Sequence, residues 1–545
     1  MKDVDLPNGW AAAGLGEIAG VNPRTFRTDV TPDTEVSFVP MAAVEAGSGL
    51  LDASDIQLWG DLARRSYTRF AEGDVLFAKI TPCMENGKFA LAKGLKNGAG
   101  VGSTEFHVIR CPSGLHTKYI LYFLLQESVR KRARAVMAGA VGQMRVPADF
   151  LFELAIPVPP AAEQERIVAE IEKQLTRLDA AVAALQRVRA NVKRYRGAVL
   201  EAACEGTLVP QHASDEPAER LVERILTERR ANVETSPAAK RKELKRAWDD
   251  EQQALDTSEL PTLPKGWCWA RAEQICEAVS SGSTPSADKM YSGSGEVPFI
   301  KVYNLTFDGT LDFGTKPTFI TKHTHLNQLG RSRSFPGDVL MNIVGPPLGK
   351  VSITPDFHPE WNINQAIVSF RPSKGLDHKY LSYALLSGDT QRRLQRTAKA
   401  TAGQFNLAVT TCRRLALPVP PVSEQRLIVA EVERRLSVVE SLEDAVENGL
   451  KRAERLRQSV LRRAFEGRLA PQDPDDEPAS VLLERIREER QKDPAFVRAR
   501  VRRVRRERVQ LPLGGMGHDE KRQREREPLP ADRPEAVELL QHPAG

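Results

Sequence analysis

The chain is poor in cysteine, has no long apolar run and carries only a small excess of charge of one sign. Its six cysteines among 545 residues include no CxxC pair, so neither a disulfide framework nor a zinc ribbon is expected, and free thiols in a reducing cytoplasm are. No window approaches the ~20 apolar residues of a membrane span, and Met1 to Trp10 has no basic-then-apolar leader. The 78 Lys and Arg are nearly offset by 72 Asp and Glu, leaving +6. That balance permits nucleic-acid binding without establishing it, because a folded reader of DNA needs a basic face more than a basic average.

Motifs for chemistry are missing too. An adenine methyltransferase would need an FxGxG-type cofactor loop and an (N/D)PP(Y/F) tetrapeptide, and neither occurs. Gly345-Pro-Pro-Leu-Gly-Lys350 has three residues between its glycines where a phosphate loop has four, and Val351 stands where Ser or Thr would hold magnesium. His323 and His325 are the only close histidine pair, with no Cys or Glu at ligand spacing, so no metal site is expected.

What the chain does have is a second copy of itself. Pro157 to Leu175, PVPPAAEQERIVAEIEKQL, returns as Pro418 to Leu436, PVPPVSEQRLIVAEVERRL, with 12 of 19 positions identical. Lys118-Tyr119 recurs as Lys379-Tyr380, and AxEGxLxPQ at Ala203 recurs at Ala464, both at an offset of 261. Asp215-Glu-Pro-Ala returns at Asp476 with the same offset. Upstream the register slips: Leu6-Pro-Asn-Gly-Trp10 matches Leu263-Pro-Lys-Gly-Trp267 at 257, and Gly73-Asp-Val-Leu matches Gly337-Asp-Val-Leu at 264. Each half has a variable front and a constrained back, which is a tandem duplication of a whole unit and not a solenoid.

The fronts carry short β-rich runs, such as Val36 to Val39, Asp74 to Phe77, Phe106 to Ile109 and Val297 to Val302, broken by Gly, Pro and Asn. One helix is expected from Lys118 to about Ala135, and its counterpart from His378. The backs are helical, with apolar residues in steps of three, four or seven from Ile167 to Val199 and from Ile428 to Val460, the seam of two long helices. A shorter helix follows each, at Glu216 to Arg230 and Glu477 to Gln491, with a loop at Asn232 to Ala239 and a charged helix at Lys240 to Trp248. The expected fold class is α+β: two homologous mixed α/β domains separated by two long antiparallel coiled-coil helices in a pseudo-two-fold repeat. The segments are 1–157, first globular domain; 158–260, central helical region; 261–418, second globular domain; 419–495, C-terminal helical region; and 496–545, a basic and then disordered tail.

A front ending in (I/L)PxPPxxEQxxI, then a long helix and EGxLxPQ, all twice, resembles the specificity subunit of type I restriction-modification systems. The resemblance covers residues 6 to about 491. It implies target recognition domains that each read one half of a split double-stranded DNA sequence, and helices that act as a ruler and dock two modification subunits, with two restriction subunits beyond them. It implies no catalysis and no cofactor on this chain: S-adenosylmethionine, ATP and magnesium belong to the partners. Arg and Lys suit guanine or phosphate, and Asn and Gln suit adenine. The DNA-contact candidates are therefore Lys79, Asn86, Lys88, Gln143 and Arg145 in the first domain. In the second they are Lys301, Asn304, Asn342, Lys350, Asn362, Asn364, Gln404 and Asn406. A turn former or a surface polar residue accounts for any one of these as well.

Candidates for helix pairing and subunit docking are Glu163, Gln164, Ile167, Ile171, Leu175 and Leu178, with Glu424, Gln425, Ile428, Val432, Leu436 and Val439. Helix capping also accounts for the two Glu-Gln pairs. Leu221, Ile225, Leu482 and Ile486 are expected to lie exposed without a partner. The arginine run after Pro494 has no counterpart in the first half and reads as a DNA-contacting arm or a solvated extension. Two other classes compete: a helical scaffold that binds proteins without DNA specificity, and a self-contained nuclease or methyltransferase.

Overall fold

The computed structural model describes residues 6–140, 142–235, 255–401 and 404–492. The helix expected at 240–248 and the tail 496–545 lie outside the described residues. The chain compacts as two units, one of residues 1–172 with 460 onward, the other of residues 173–459. Each unit therefore joins one globular front to the helical tail of the opposite repeat. The segments read from the sequence are stretches of chain and not the units in which it packs.

In the first unit a four-stranded sheet runs in the order Gly20–Val21, Phe106–Arg110, Val75–Ala78, Phe89–Leu91. A second runs Ile56–Leu58, Glu35–Val39, Ala99–Gly102, Thr68–Ala71. The second unit repeats the plan. One sheet runs Cys276–Ser281, Ile367–Pro372, Val339–Asn342, Val351–Ile353, and a five-stranded sheet is centred on Val297–Ile300 beside Trp361–Ile363. In each copy two of these strands pair in parallel, Ser37 with Gly100 and Phe299 with Asn362. Val75–Ala78 and Val339–Asn342 are buried along their whole length, which is why Val75–Ala78 and Val339 to Met341 read as continuous apolar runs without alternation.

The repeated Gly-Asp-Val-Leu gains a physical reason. Gly73 and Gly337 take φ of 81° and 86°, a region that only glycine enters freely. The next residue, Asp74 or Asp338, is buried and closes the turn by accepting from the amide of Ala71 (2.7 Å) or Phe335 (2.9 Å). It also receives a forked pair of bonds from Arg110 or Arg371 on the adjoining strand, at 2.7 to 2.9 Å. Bidentate geometry and a backbone donor are what a buried ion pair needs to offset its desolvation.

The helix expected at Lys118 to Ala135 is two helices, Thr117–Leu124 and Glu127–Ala135. Gln126 between them is extended (φ −62°, ψ 137°) and its buried amide donates to the Phe123 carbonyl. The second copy breaks likewise into His378–Leu386 and Gly388–Thr397, where the Ser387 hydroxyl caps the Thr390 amide. A side-chain bond of the residue at the break accompanies it in both copies, a helix cap in the second and a bond back to the preceding helix in the first.

The long helices are Ala161–Cys204 and Val422–Phe465, 44 residues each, or about 66 Å at 1.5 Å per residue. Within the unit of residues 173–459 they run antiparallel: Asp179 meets Arg457, Leu185 lies against Gly449, and Arg196 bonds Glu443 at 3.1 Å. A Cβ at Gly449 would sit 3.0 Å from Leu185 Cδ1, so the small residue lets the helices approach closely there. Ile428, Val432, Leu436 and Val439 share one continuous core with Val192, Val199, Trp267 and Tyr380. This stretch of the pair is thus an extension of the globular core.

The shorter helices are Ala218–Thr235 and Ala479–Lys492. The first continues through Asn232 to Thr235, where a loop was expected. Leu221, Ile225, Leu482 and Ile486 are 3%, 6%, 4% and 1% exposed, which overturns the expectation that they face solvent. Leu482 reaches the loop at Gly114, and Leu221 the equivalent loop at Gly375.

Candidate nucleic-acid interface and the joints behind it

The motifs shared by the two halves converge on one structure in each unit. In the first, the indole of Trp10 donates to the buried Glu163 carboxylate (2.9 Å), and the Gln164 side chain accepts from the His116 amide (2.8 Å) and donates to the Pro159 carbonyl (3.1 Å). In the second, Trp267 donates to Glu424 (2.8 Å), while the Gln425 side chain accepts from the Asp377 amide (2.8 Å) and donates to the Pro420 carbonyl (3.1 Å). Tyr119 and Tyr380 donate to the carbonyls of Pro157 (2.7 Å) and Pro418 (3.0 Å). Lys118 pairs with Glu172, and Lys379 with Glu433.

The opposite repeat's tail closes each joint. Ala479 N donates to Gly9 O (2.8 Å) and Ala218 N to Gly266 O (2.9 Å). Gly467 and Gly206, both at φ 69°, pack against Pro7 and Pro264, where any Cβ would come within 2.4 Å of the proline ring. Arg166 reaches Asp476. Sequence reading found every one of these motifs but not that they meet. The recoverable signal was a tryptophan and a glutamate repeated at nearly constant separation.

These contacts place the docking candidates. Glu163, Gln164, Glu424 and Gln425 are 0–2% exposed and occupied within their own units, so they hold the globular front to its helix. They are not open surface. Burial pushes both glutamates above the ordinary carboxylate range, opposed by the indole bond. Ile167, Ile171, Leu175, Ile428, Val432, Leu436 and Val439 are buried, and Leu178 is half-buried.

The DNA-contact candidates divide. Asn86 and Gln143 are exposed, and Lys79, Arg145, Lys301 and Lys350 are half-buried. Lys88 donates from Nζ to the Met41 carbonyl (3.0 Å), and the Asn364 side-chain Oδ1 accepts from the Ala366 amide (3.2 Å). Gln143 stands in a turn whose flanks, Ala138 and Arg145, pair with each other, and Arg145 also pairs with Ile80. The second copy builds the same three-stranded corner from Lys399–Thr401, Gln404–Asn406 and Val344–Gly345. Gln404 starts the strand that corresponds to the one following Gln143, and Asn406 matches Arg145.

Three asparagines are corrected. Asn304, Asn342 and Asn362 are fully buried with both ends of the amide engaged. Asn304 accepts from Lys301 N and donates to the Asp312 and Thr315 carbonyls. Asn342 accepts from Lys350 N and donates to Val344 and Pro347. Asn362 bridges His325 Nδ1 and Ser332 Oγ. Reading a base would leave several buried groups unpaired, a cost no single base contact recovers. These residues shape loops.

Arg145 grips Glu105 with three contacts of 2.8 to 3.1 Å and holds that carboxyl below its usual range. His107 is lowered by burial: its Nε2–H donates to the Val146 carbonyl (2.9 Å), so Nδ1 is the acceptor for the Asn22 amide (3.0 Å). Among the described residues no three His, Cys, Asp or Glu side chains converge as a metal site would require, and no helix is long and apolar enough to cross a membrane.

Comparison with known proteins gives this geometry a context. The model of the type I restriction modification DNA specificity domain matches twice, over residues 7–193 and 264–452. The chain is 29% identical over 493 residues to the type I restriction enzyme EcoEI specificity subunit of Escherichia coli, covering 82% of this chain and 81% of that one. It is 34% identical over 317 residues to the EcoAI specificity subunit of the same species, covering 50% and 52%. A solved chain described under complex assembly and conformational transition of the type I R-M system superposes with a TM-score of 0.55 at 21% identity. That match covers 86% of this chain and 100% of the other, a likeness of fold.

Proposed function

Because the chain belongs to the type I restriction-modification DNA specificity family, as a non-catalytic specificity subunit, we propose that its two globular fronts read the two halves of one split double-stranded DNA target. The observation that carries this reading is the contrast between the copies. The joints share their Trp–Glu, Gln, Tyr and Lys–Glu contacts, whereas the loops beside the Gly-Asp-Val-Leu strand differ, Ala-Lys-Ile-Thr-Pro-Cys against Asn-Ile-Val-Gly-Pro-Pro. A shared frame with unlike faces suits two different half-sites. Helices of about 66 Å, nearly two turns of B-DNA at ~34 Å each, are the elements long enough to fix half-site spacing.

In this reading the complex acts in the cytoplasm with two modification and two restriction subunits. S-adenosylmethionine, ATP and magnesium are held by those partners, which methylate adenine or cleave where this chain directs them. The test is genome-wide mapping of N6-methyladenine in a host carrying this chain with its neighbouring modification subunit, against a deletion of this chain. A split motif that disappears on deletion supports the reading. Unchanged methylation in an expressed, intact system overturns it in favour of a protein-binding scaffold.

A further inference from the structure

Between the two sheets of the first front lies a cleft of about 530 Å³. Arg24, Arg69 and Lys79 line it beside the aromatic ring of Tyr67 and the polar pair Asn22 and His107. None of the three cations makes an ion pair among the described residues. Arg69 lies over the Trp59 ring, 4.6 Å from its centroid, so its direction is fixed by stacking. Burial lowers the His107 value, opposed by the bond it donates to the Val146 carbonyl. Arg24, Arg69 and Lys79 thus flank an open, polar, aromatic-sided cleft, and Glu105, the carboxylate in the field of Lys79, is already held by Arg145.

The second front has lost this arrangement. Strand registers identify the equivalents: Ala78 pairs with Phe106 as Asn342 pairs with Ile367, so Lys79 corresponds to Ile343 and His107 to Val368. Arg69 corresponds to Arg333, because each precedes by two residues the amide held by the buried aspartate. Arg333 is neutralised by Glu360, which His325 Nε2 also holds at 2.6 Å. Ile343 and Val368 are buried and apolar. One copy presents free positive charge where the other has cancelled it.

We propose that the Arg24, Arg69 and Lys79 cleft is a phosphodiester site by which the first front grips the backbone of its half-site, and that the second front has no counterpart to it. The inference rests on the DNA-reading function proposed above. Each phosphate contact contributes about 0.9 to the slope of log K against log salt, so Arg69→Gln with Lys79→Gln in the full chain, assembled with its modification subunit, should flatten that slope by nearly two. Affinity should fall on cognate and unrelated duplexes alike, because backbone contacts carry no sequence information. The variant Arg69→Lys with Lys79→Arg keeps the charge and should keep the slope, and Arg333→Gln should leave it unchanged.

If the wild-type complex bound DNA with steep salt dependence and the neutral variant matched it, the cleft would be excluded while the specificity reading stood. If the wild type bound no DNA, the reading itself would fail. A charge-keeping variant as weak as the neutral one would show that the residues act through folding, and would also overturn the proposal.

Discussion

At the scale of single residues, the Trp–Glu bond behind each recognition front is the feature most open to test. Trp10→Phe keeps an aromatic group and deletes the donor, leaving a buried carboxylate short of a partner, a loss of about 1–3 kcal/mol for the bond alone. Trp267→Phe should cost the same within error, since the two bonds differ by only 0.1 Å, and urea titration of both variants checks it. The two glutamates also impose a pH dependence. Burial raises their folded values above the ordinary 4.5, so the folded state holds these protons more tightly than the unfolded chain. Their contribution to stability is fully present below about pH 4.5 and is lost as pH rises through the raised values. Glu163→Gln with Glu424→Gln should flatten that decline in a pH series of unfolding midpoints; an unaltered slope would show that other groups set it. The residue types of these joints were plain in the sequence, because duplication marked them. The roles of Asn304, Asn342 and Asn362 were not, because an asparagine that closes a loop and one that reads adenine look alike until burial is known.

At the scale of elements, periodicity was the reliable guide. The seam from Ile167 to Val199 marks a helix within a few residues of Ala161–Cys204, and the strand runs fall where expected. What local pattern missed depends on distant contacts: the break at Gln126, and the burial of Leu482 and Ile486. The helix pair should owe its stability to its seam and little to its ion pairs. Val439→Asp would place an unpaired charge in the core that Val439 shares with Val192, destabilising the unit by at least about 3 kcal/mol. Arg196→Ala, which removes the bond to the half-exposed Glu443, should cost under about 1 kcal/mol. Equal losses in thermal unfolding would refute that ranking.

At the scale of the whole molecule, the duplication was legible from the offset of 261 that holds from Lys118 onward, but not which tail closes which front. Either tail suits either front by pattern alone, and only tertiary contacts decide. The helix Ala479–Lys492 buries Leu482, Leu483 and Ile486 in the unit of the first front. At ~1.5–3 kcal/mol per buried side chain, its loss approaches the whole stability of an ordinary domain. A chain ended before Ala479 should therefore lose hydrogen-exchange protection in the first front while the second, complete by residue 459, keeps it; uniform loss would refute the division. The same arrangement sets a clock on biosynthesis. The Gly9 carbonyl waits for the Ala479 amide, made 470 residues later. At about 5–20 residues per second that delay is roughly 25 to 95 s, during which the front made first stays open and the front made second is finished. Interrupted translation thus yields a chain whose earlier half, although fully synthesised, has never been closed.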